Sequence, residues 1–175
     1  MYYEYKPFRK SSYNRLNAVN YAIKYALTSN PAYSYLPITN GTSGDCTNFV
    51  SQCLKAGGAL MSRNPPHMWW YNNNAWSVSW AVAHSLYWYL KTNNSIYNSS
   101  PKGLEITDLD KLELGDVVFY ENFKSIIFHC AIITSFITVN GIREPLISQH
   151  SYPQLNSTYK KKYAYKRVHF LKISI

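Results

Sequence analysis

The apolar residues of this chain change their period once, and that change limits the folds open to it. Over residues 11–27, Leu16, Val19, Ala22, Ile23, Ala26 and Leu27 recur every three or four positions, the spacing of one helix face. Ser11 or Ser12 supplies the cap and Asn30-Pro31 the stop. A second helical pattern begins at Cys46 and carries Phe49, Val50, Cys53 and Leu54 on one face. It ends at Gly57-Gly58, where glycine can take the left-handed conformation that closes a helix. A third runs over 79–90 through Val82, Ala83, Leu86 and Leu90. A loop over 32–44, a proline-broken aromatic segment over 62–71 and a polar connection over 93–103 separate these patterns from each other and from the C-terminal part of the chain. From Leu114 the period is two, and residues 117–120, 126–138, 142–151 and 163–173, rich in β-branched and aromatic types, read as strands. Asn140-Gly141 stands between the second and third of these as a type I′ hairpin turn. Helices followed by an antiparallel sheet make the class α+β, and residues 1–175 are expected to form one domain.

Composition bears on partners more than on fold. Charged residues are 15% of the chain and aromatics 17%, too few charges and too many rings for a coiled coil or a disordered segment. The formal charge of +9 favours a polyanionic partner: nucleic acid, an acidic membrane surface, or a bacterial wall with its phosphate polymers. The clearest basic cluster, Lys160-Lys161-Lys162 with Lys166 and Arg167, reads first as a solvated strand edge whose lysines discourage edge pairing. No run reaches the about 18 to 20 apolar residues of a membrane helix, so no span is expected. Residues 1–6 have neither the basic start nor the apolar stretch of a secretory signal, which leaves a removed leader or a lysis pore as the route to a wall. Cys46, Cys53 and Cys130 are odd in number and lack C-x-x-C spacing, against both a disulfide framework and a zinc site. No H-E-x-x-H appears, and neither metal nor cofactor is expected.

Cys46 opens a helix directly after a glycine-containing loop, where unpaired N–H groups and the positive end of the helix dipole stabilise a thiolate. Cys53, two turns on, reads as core. His129 lies mid-strand and by alternation shares a face with Ile127, Ala131 and Ile133, while Cys130 points to the other face. An imidazole among apolar neighbours needs a partner, and a thiol that gives up its proton is one. A two-residue turn at Asn140-Gly141 sets Val139 opposite Ile142 and Ala131 opposite His150, which makes His150 a diagonal neighbour of His129. A bulge near Pro145 would instead turn Gln149 inward. His67 and His84 read as packing or surface residues, and His169 has no acidic or thiol neighbour in sequence.

The run Gly44-Asp45-Cys46-Thr47-Asn48-Phe49-Val50-Ser51-Gln52, followed by Ala56-Gly57-Gly58, resembles the signature of the amidase-type branch of papain-like cysteine hydrolases, relatives of the NlpC/P60 cell-wall peptidases. The likeness extends to Tyr13-Asn14-Arg15, Asn30-Pro31 with Tyr33, Ser79-Trp80, Leu114-Gly115-Asp116-Val117-Val118, His129-Cys130-Ala131-Ile132-Ile133-Thr134 and Gln149-His150-Ser151. The resemblance implies a papain-like, NlpC/P60-like fold, with N-terminal helices and the cysteine helix packed on a C-terminal antiparallel sheet. It implies Cys46 as nucleophile, His129 as the base that becomes the acid, and a polar residue of the next strand, His150 or Gln149, as orienter of the imidazole. The backbone N–H of Cys46 is the first oxyanion donor expected, with Tyr33 or Tyr35 as the second. Asp45, Trp69, Trp70, Tyr71 and Gln149 are cleft candidates, though the rings serve equally well as a cover for the core. The implied substrate is bacterial peptidoglycan, cut without metal at the muramoyl–L-alanine bond or within the stem peptide, by a monomer at the cell wall. The rival class is a non-catalytic basic, aromatic module for a polyanion, either the wall or single-stranded nucleic acid. It needs neither Cys46 nor His129, and the cysteine motif sets nucleic acid aside as the expected partner.

Overall fold

The computed structural model describes residues 13–39, 44–93 and 99–175. Its helices are α1 (Arg15–Tyr25), α2 (Cys46–Ala56), α3 (Val78–Ala81) and α4 (Ala83–Asn93). Strands β1 (Tyr71–Asn72) and β2 (Ala75–Trp76) form a small ribbon. The strands β3 (Lys102–Ile106), β4 (Val117–Glu121), β5 (Ile127–Val139), β6 (Ile142–Gln149), β7 (Gln154–Thr158) and β8 (Arg167–Ser174) form one antiparallel sheet in the order β3-β8-β4-β5-β6-β7. The class is α+β, as the change of period requires.

The sheet is apolar on both faces at its centre. Val117, Phe119, Cys130, Ile132, Leu171 and Ile173 pack against Phe49, Val50 and Leu54 of α2 and Leu86 and Leu90 of α4. Val118, Tyr120, Ala131, Ile133, Ile147 and Phe170 form a smaller cluster on the reverse face, covered by Tyr159 and Tyr165. Alternation along β4 and β5 therefore feeds two cores.

Helix α2 is buried from Cys46 to Leu54, as befits a helix enclosed on all sides. Helix α1 lies against it through small residues, Ala18, Val19, Ala22 and Ala26, while Leu16, Ile23 and Leu27 are exposed. The buried stripe thus sits beside the expected one, because alanines admit a closer approach than leucines. The N-cap is Asn14, whose side chain accepts from Asn17 N; Ser11 and Ser12 lie outside the described residues. Arg15 of α1 donates to Asp116 Oδ1 at 2.6 Å and to the Leu114 and Ile173 carbonyls, anchoring the helix to the sheet.

Three further expectations change. The helix expected over 79–90 breaks at Val82, which is extended and 46% exposed. Strand β3 arises partly from the segment read as a polar connection, with the Gly103 hydrogens facing Leu90 and Leu171 where a Cβ would lie 3.0 Å from Leu171. Finally, the proline-broken segment pairs Ser62 with Trp69 and runs into β1.

Asn140 (φ 51°) and Gly141 (φ 78°) make the type I′ turn, and Val139–Ile142 to Ser135–Leu146 pair in the register it sets. At Thr134 that register slips by one, so Ile133 faces Ile147 and Ile132 faces Ser148. A second bulge places Tyr120 opposite His129 but Glu121 opposite Ile127, leaving Phe128 unpaired. Ile127 accordingly joins the helix-side core instead of sharing the face of His129. Among the described residues no helix is long and apolar enough to cross a membrane.

Candidate active site

The loop before α2 is fixed by one carboxylate. Asp45 is buried, and it accepts from Leu36 N at 2.8 Å and from Asn48 Nδ2 at 2.7 Å, while its Oδ2 lies 2.5 Å from His150 Nδ1. Asn48 also donates to Ser34 O and accepts from Trp80 Nε1 at 2.7 Å. A carboxylate so fully engaged is a scaffold and is withdrawn from the cleft, which corrects the expectation for Asp45.

Cys46 follows as the first residue of α2, as expected. Its backbone N–H donates to Ser151 Oγ at 3.2 Å. That contact explains Gly44: a Cβ there would lie 2.3 Å from the Ser151 hydroxyl. The Cys46 thiol lies 3.7 Å from Thr47 Oγ1, and Cys130 Sγ lies 3.6 Å from the same oxygen. Cys130 therefore reaches the site from the helix face of the sheet, although alternation set it apart from His129. All three cysteines are free.

These contacts hold the Cys46 thiol well below the usual cysteine range. A hydrogen bond from Cys130 is the largest cause; burial opposes it, and His129, by charge and by hydrogen bond, and then Thr47 add to it. Burial pushes the Cys130 thiol well up, so it keeps its proton and serves as the donor.

His129 is buried, its ring 5.5 Å from that of Tyr120 and perpendicular to that of Tyr163 at 6.5 Å. Nε2 lies 2.9 Å from Gln149 Oε1, and Gln149 Nε2 donates to Tyr152 O at 3.0 Å. A backbone carbonyl only accepts, so the amide must present its NH₂ to Tyr152 and its oxygen to His129. His129 then carries its proton on Nε2, and Nδ1 is left with a lone pair for the Cys46 proton.

His150 does not orient His129, and this corrects the expected assignment. The slip at Thr134, on β5 and not near Pro145, brings Gln149 to the side of His129. His150 instead donates Nε2–H to Tyr25 O at 2.7 Å, faces Asp45 through Nδ1 and stacks on Phe49 at 4.2 Å. It ties the end of α1 to the cysteine loop.

The tyrosines and tryptophans also move. Tyr33 accepts from Lys55 and packs on Tyr71 and Trp80, and Tyr35 is exposed with its ring 6.2 Å from His150. Trp69 is fully buried and donates to Ser51 Oγ at 3.1 Å, Tyr71 bonds Ser34, and Trp70 lies under the Arg63 guanidinium at 4.4 Å. Of these rings, Trp69 lies in the helix-side core and Tyr71 packs against it. Residues that sequence reasoning passed over take their place: Ser151 at the Cys46 N–H, and Tyr163, whose hydroxyl is pushed up by burial first and by the nearby Cys46 next. Tyr163 opens the strand expected over 163–173, but β8 begins only at Arg167 and Tyr163 lies in the irregular stretch before it; Ser151 is marked in sequence only by its place after Gln149-His150.

His169, without an acidic neighbour in sequence, has two in space. Nδ1 lies 2.6 Å from Glu105 Oε1 and Nε2 2.7 Å from Glu121 Oε2. The carboxylates stand at opposite ring nitrogens and do not converge on one ion, and among the described residues no group of three or more His, Cys, Asp or Glu side chains is arranged to hold a metal.

A family model described as "Putative amidase domain" matches residues 12–172. The uncharacterized protein YhbB of Bacillus subtilis (strain 168) is 39% identical over 115 residues, 65% of this chain and 34% of its own length. The uncharacterized protein YjcM of the same organism is 31% identical over 153 residues, 82% of this chain and 32% of its own length. The chain spans about a third of the length of the curated relatives it matches. No solved structure matches it.

Proposed function

This chain belongs to the amidase-domain family, and on that premise we propose that it hydrolyses an amide bond of bacterial peptidoglycan through the Cys46 thiolate. The observation that carries the reading is one constellation: a helix-start thiol held well below the usual cysteine range, in part by a histidine whose far nitrogen is fixed by Gln149. A helix carrying the cysteine against an antiparallel sheet carrying the histidine supports a papain-like, NlpC/P60-type arrangement.

In this mechanism His129 Nδ1 takes the thiol proton and the thiolate attacks the substrate carbonyl. The oxyanion meets the Cys46 N–H once that N–H is released from Ser151 Oγ, and the freed Ser151 hydroxyl is the second donor. The imidazolium returns its proton to the leaving amine, leaving a thioester. Water, deprotonated by His129, then attacks the thioester, releasing the acid and restoring the thiol. The charge of +9 suits the anionic polymers of a wall.

Digestion of purified peptidoglycan followed by mass spectrometry of the fragments tests the reading. New amine and carboxylate termini at one bond, lost in Cys46→Ala, are expected, and they identify that bond. Intact wall after wild-type digestion, or equal cleavage by Cys46→Ala, would overturn it.

A further inference from the structure

Among the described residues, Lys161 is an inward-facing cation that the mechanism leaves unused. In the run Lys160-Lys161-Lys162, Lys160 pairs with Glu144 and its side chain is 54% exposed, as a surface lysine should be. Lys161 turns inward. Its Nζ donates to Gln149 Oε1 at 2.5 Å and Gln154 Oε1 at 2.9 Å, and stands 5.7 Å from the Tyr120 ring centre. Gln149 Oε1 is the atom that faces His129 Nε2. Two N–H donors thus converge on one amide oxygen, and contacts of 2.5 and 2.9 Å put Nζ at most 5.4 Å from the imidazole.

We propose that Lys161 is a positioning residue for the Cys46–His129 pair: through Gln149 it holds the amide oxygen toward His129, and its charge limits the basicity of that imidazole. The inference rests on the cysteine mechanism above. An ammonium only donates, so Lys161 demands an oxygen at the position where His129 also needs one, while Tyr152 O demands the NH₂ at the other end. A cation this close to a ring nitrogen opposes a second positive charge on it. The titratable groups facing His129 are Cys46 from α2, Tyr120 from β4, Tyr163 from the stretch before β8, and Lys161; those facing Lys161 are Tyr120 and, through Gln149, His129. Burial lowers the Lys161 ammonium to about 8, so it remains charged at neutral pH.

The test is an NMR titration of the His129 ring in the Cys46→Ala background, comparing Lys161 with Lys161→Met, Lys161→Arg and Lys161→Gln. Losing the charge should raise the His129 midpoint by about one pH unit, while Lys161→Arg should keep it within a few tenths. Lys161→Gln, shorter and neutral, serves if Lys161→Met does not fold. In protein with its thiol, the alkaline limb of kcat should move up by the same amount while KM stays unchanged. An unchanged midpoint in both neutral variants, or Lys161→Arg behaving like Lys161→Met, would sink the proposal. The titration is read without the thiol, so its failure is distinct from failure of the cysteine mechanism, which would show as hydrolysis surviving Cys46→Ala.

Discussion

Gln149 and His150 are adjacent in sequence, yet the structure gives them separate tasks. Gln149 touches His129 and nothing that holds α1 or the cysteine loop, whereas His150 joins Tyr25 O to the buried Asp45 carboxylate. Gln149→Ala should therefore lower kcat by about tenfold or more, by freeing the tautomer of His129, and, because it strips His129 and Lys161 of their shared acceptor, cost about 1 to 3 kcal/mol of stability. His150→Ala leaves Asp45 buried with only its Leu36 N and Asn48 donors, and should cost about 3 to 5 kcal/mol of stability. Chemical denaturation and steady-state kinetics on both variants separate the two, and a large kcat loss without destabilisation in His150→Ala would return the orienting role to it. Cys46 and Cys130 carry the same lesson: both contact Thr47 Oγ1, but the thiol at the helix start is held well below its usual range and the one within the sheet is pushed well above it.

Strand β5 holds the site through an irregularity at Thr134. Its hydroxyl bonds Ser148 Oγ and Asn156 Oδ1, each at 2.7 Å, and so anchors the slipped register to β6 and β7. Thr134→Val removes both bonds and should cost about 1 to 3 kcal/mol, and it should lower kcat as well, because Gln149 loses its place. Gly141→Ala, at φ 78° with open space around it, should cost about 1 kcal/mol by backbone strain and leave kcat unchanged, since the bulge sets the register beyond it. Equal kcat for the two variants would mean that the bulge does not place Gln149. This division also marks how far the sequence could be read. Asn140-Gly141 announces its own turn, and the helix start at Cys46 and strands β4, β5, β6 and β8 follow from period and composition. A bulge at Thr134 has no such signature, because threonine suits an ordinary strand equally well, so pattern alone leaves the choice between His150 and Gln149 open and only the pairing of the strands decides it. Strands β3 and β7 are short, polar edges that show one face to water, and Lys161 reads as one more edge lysine until its neighbours in space are known.

Across the molecule, the far edge of the sheet from Gln149 is held by charge. His169 of β8 sits between Glu105 of β3 and Glu121 of β4, with Lys91 of α4 on Glu105 and Lys166 on Glu121. Burial would raise the Glu105 carboxyl, yet hydrogen bonds from Lys91, His169 and Tyr87 hold it down at about 2. Hydrogen bonds from His169 and then Lys166 hold Glu121 at about 2 also. The ordinary value is 4.5, so the unfolded chain takes up these protons first as pH falls. The stability from this cluster is complete above about pH 4.5 and is lost as pH falls toward about 2. Asp116 has the opposite sign: burial raises its carboxyl despite Arg15, so acidification through its range costs the fold nothing at that group. Melting temperatures of wild type, Glu105→Gln and Asp116→Asn measured from pH 7 to pH 2 separate these contributions. The deficit of Glu105→Gln should be greatest at pH 7 and shrink steadily below pH 4.5, while that of Asp116→Asn should not shrink. A Glu105→Gln deficit that stays constant to pH 2 would mean that shape, and not ionisation, holds this edge together.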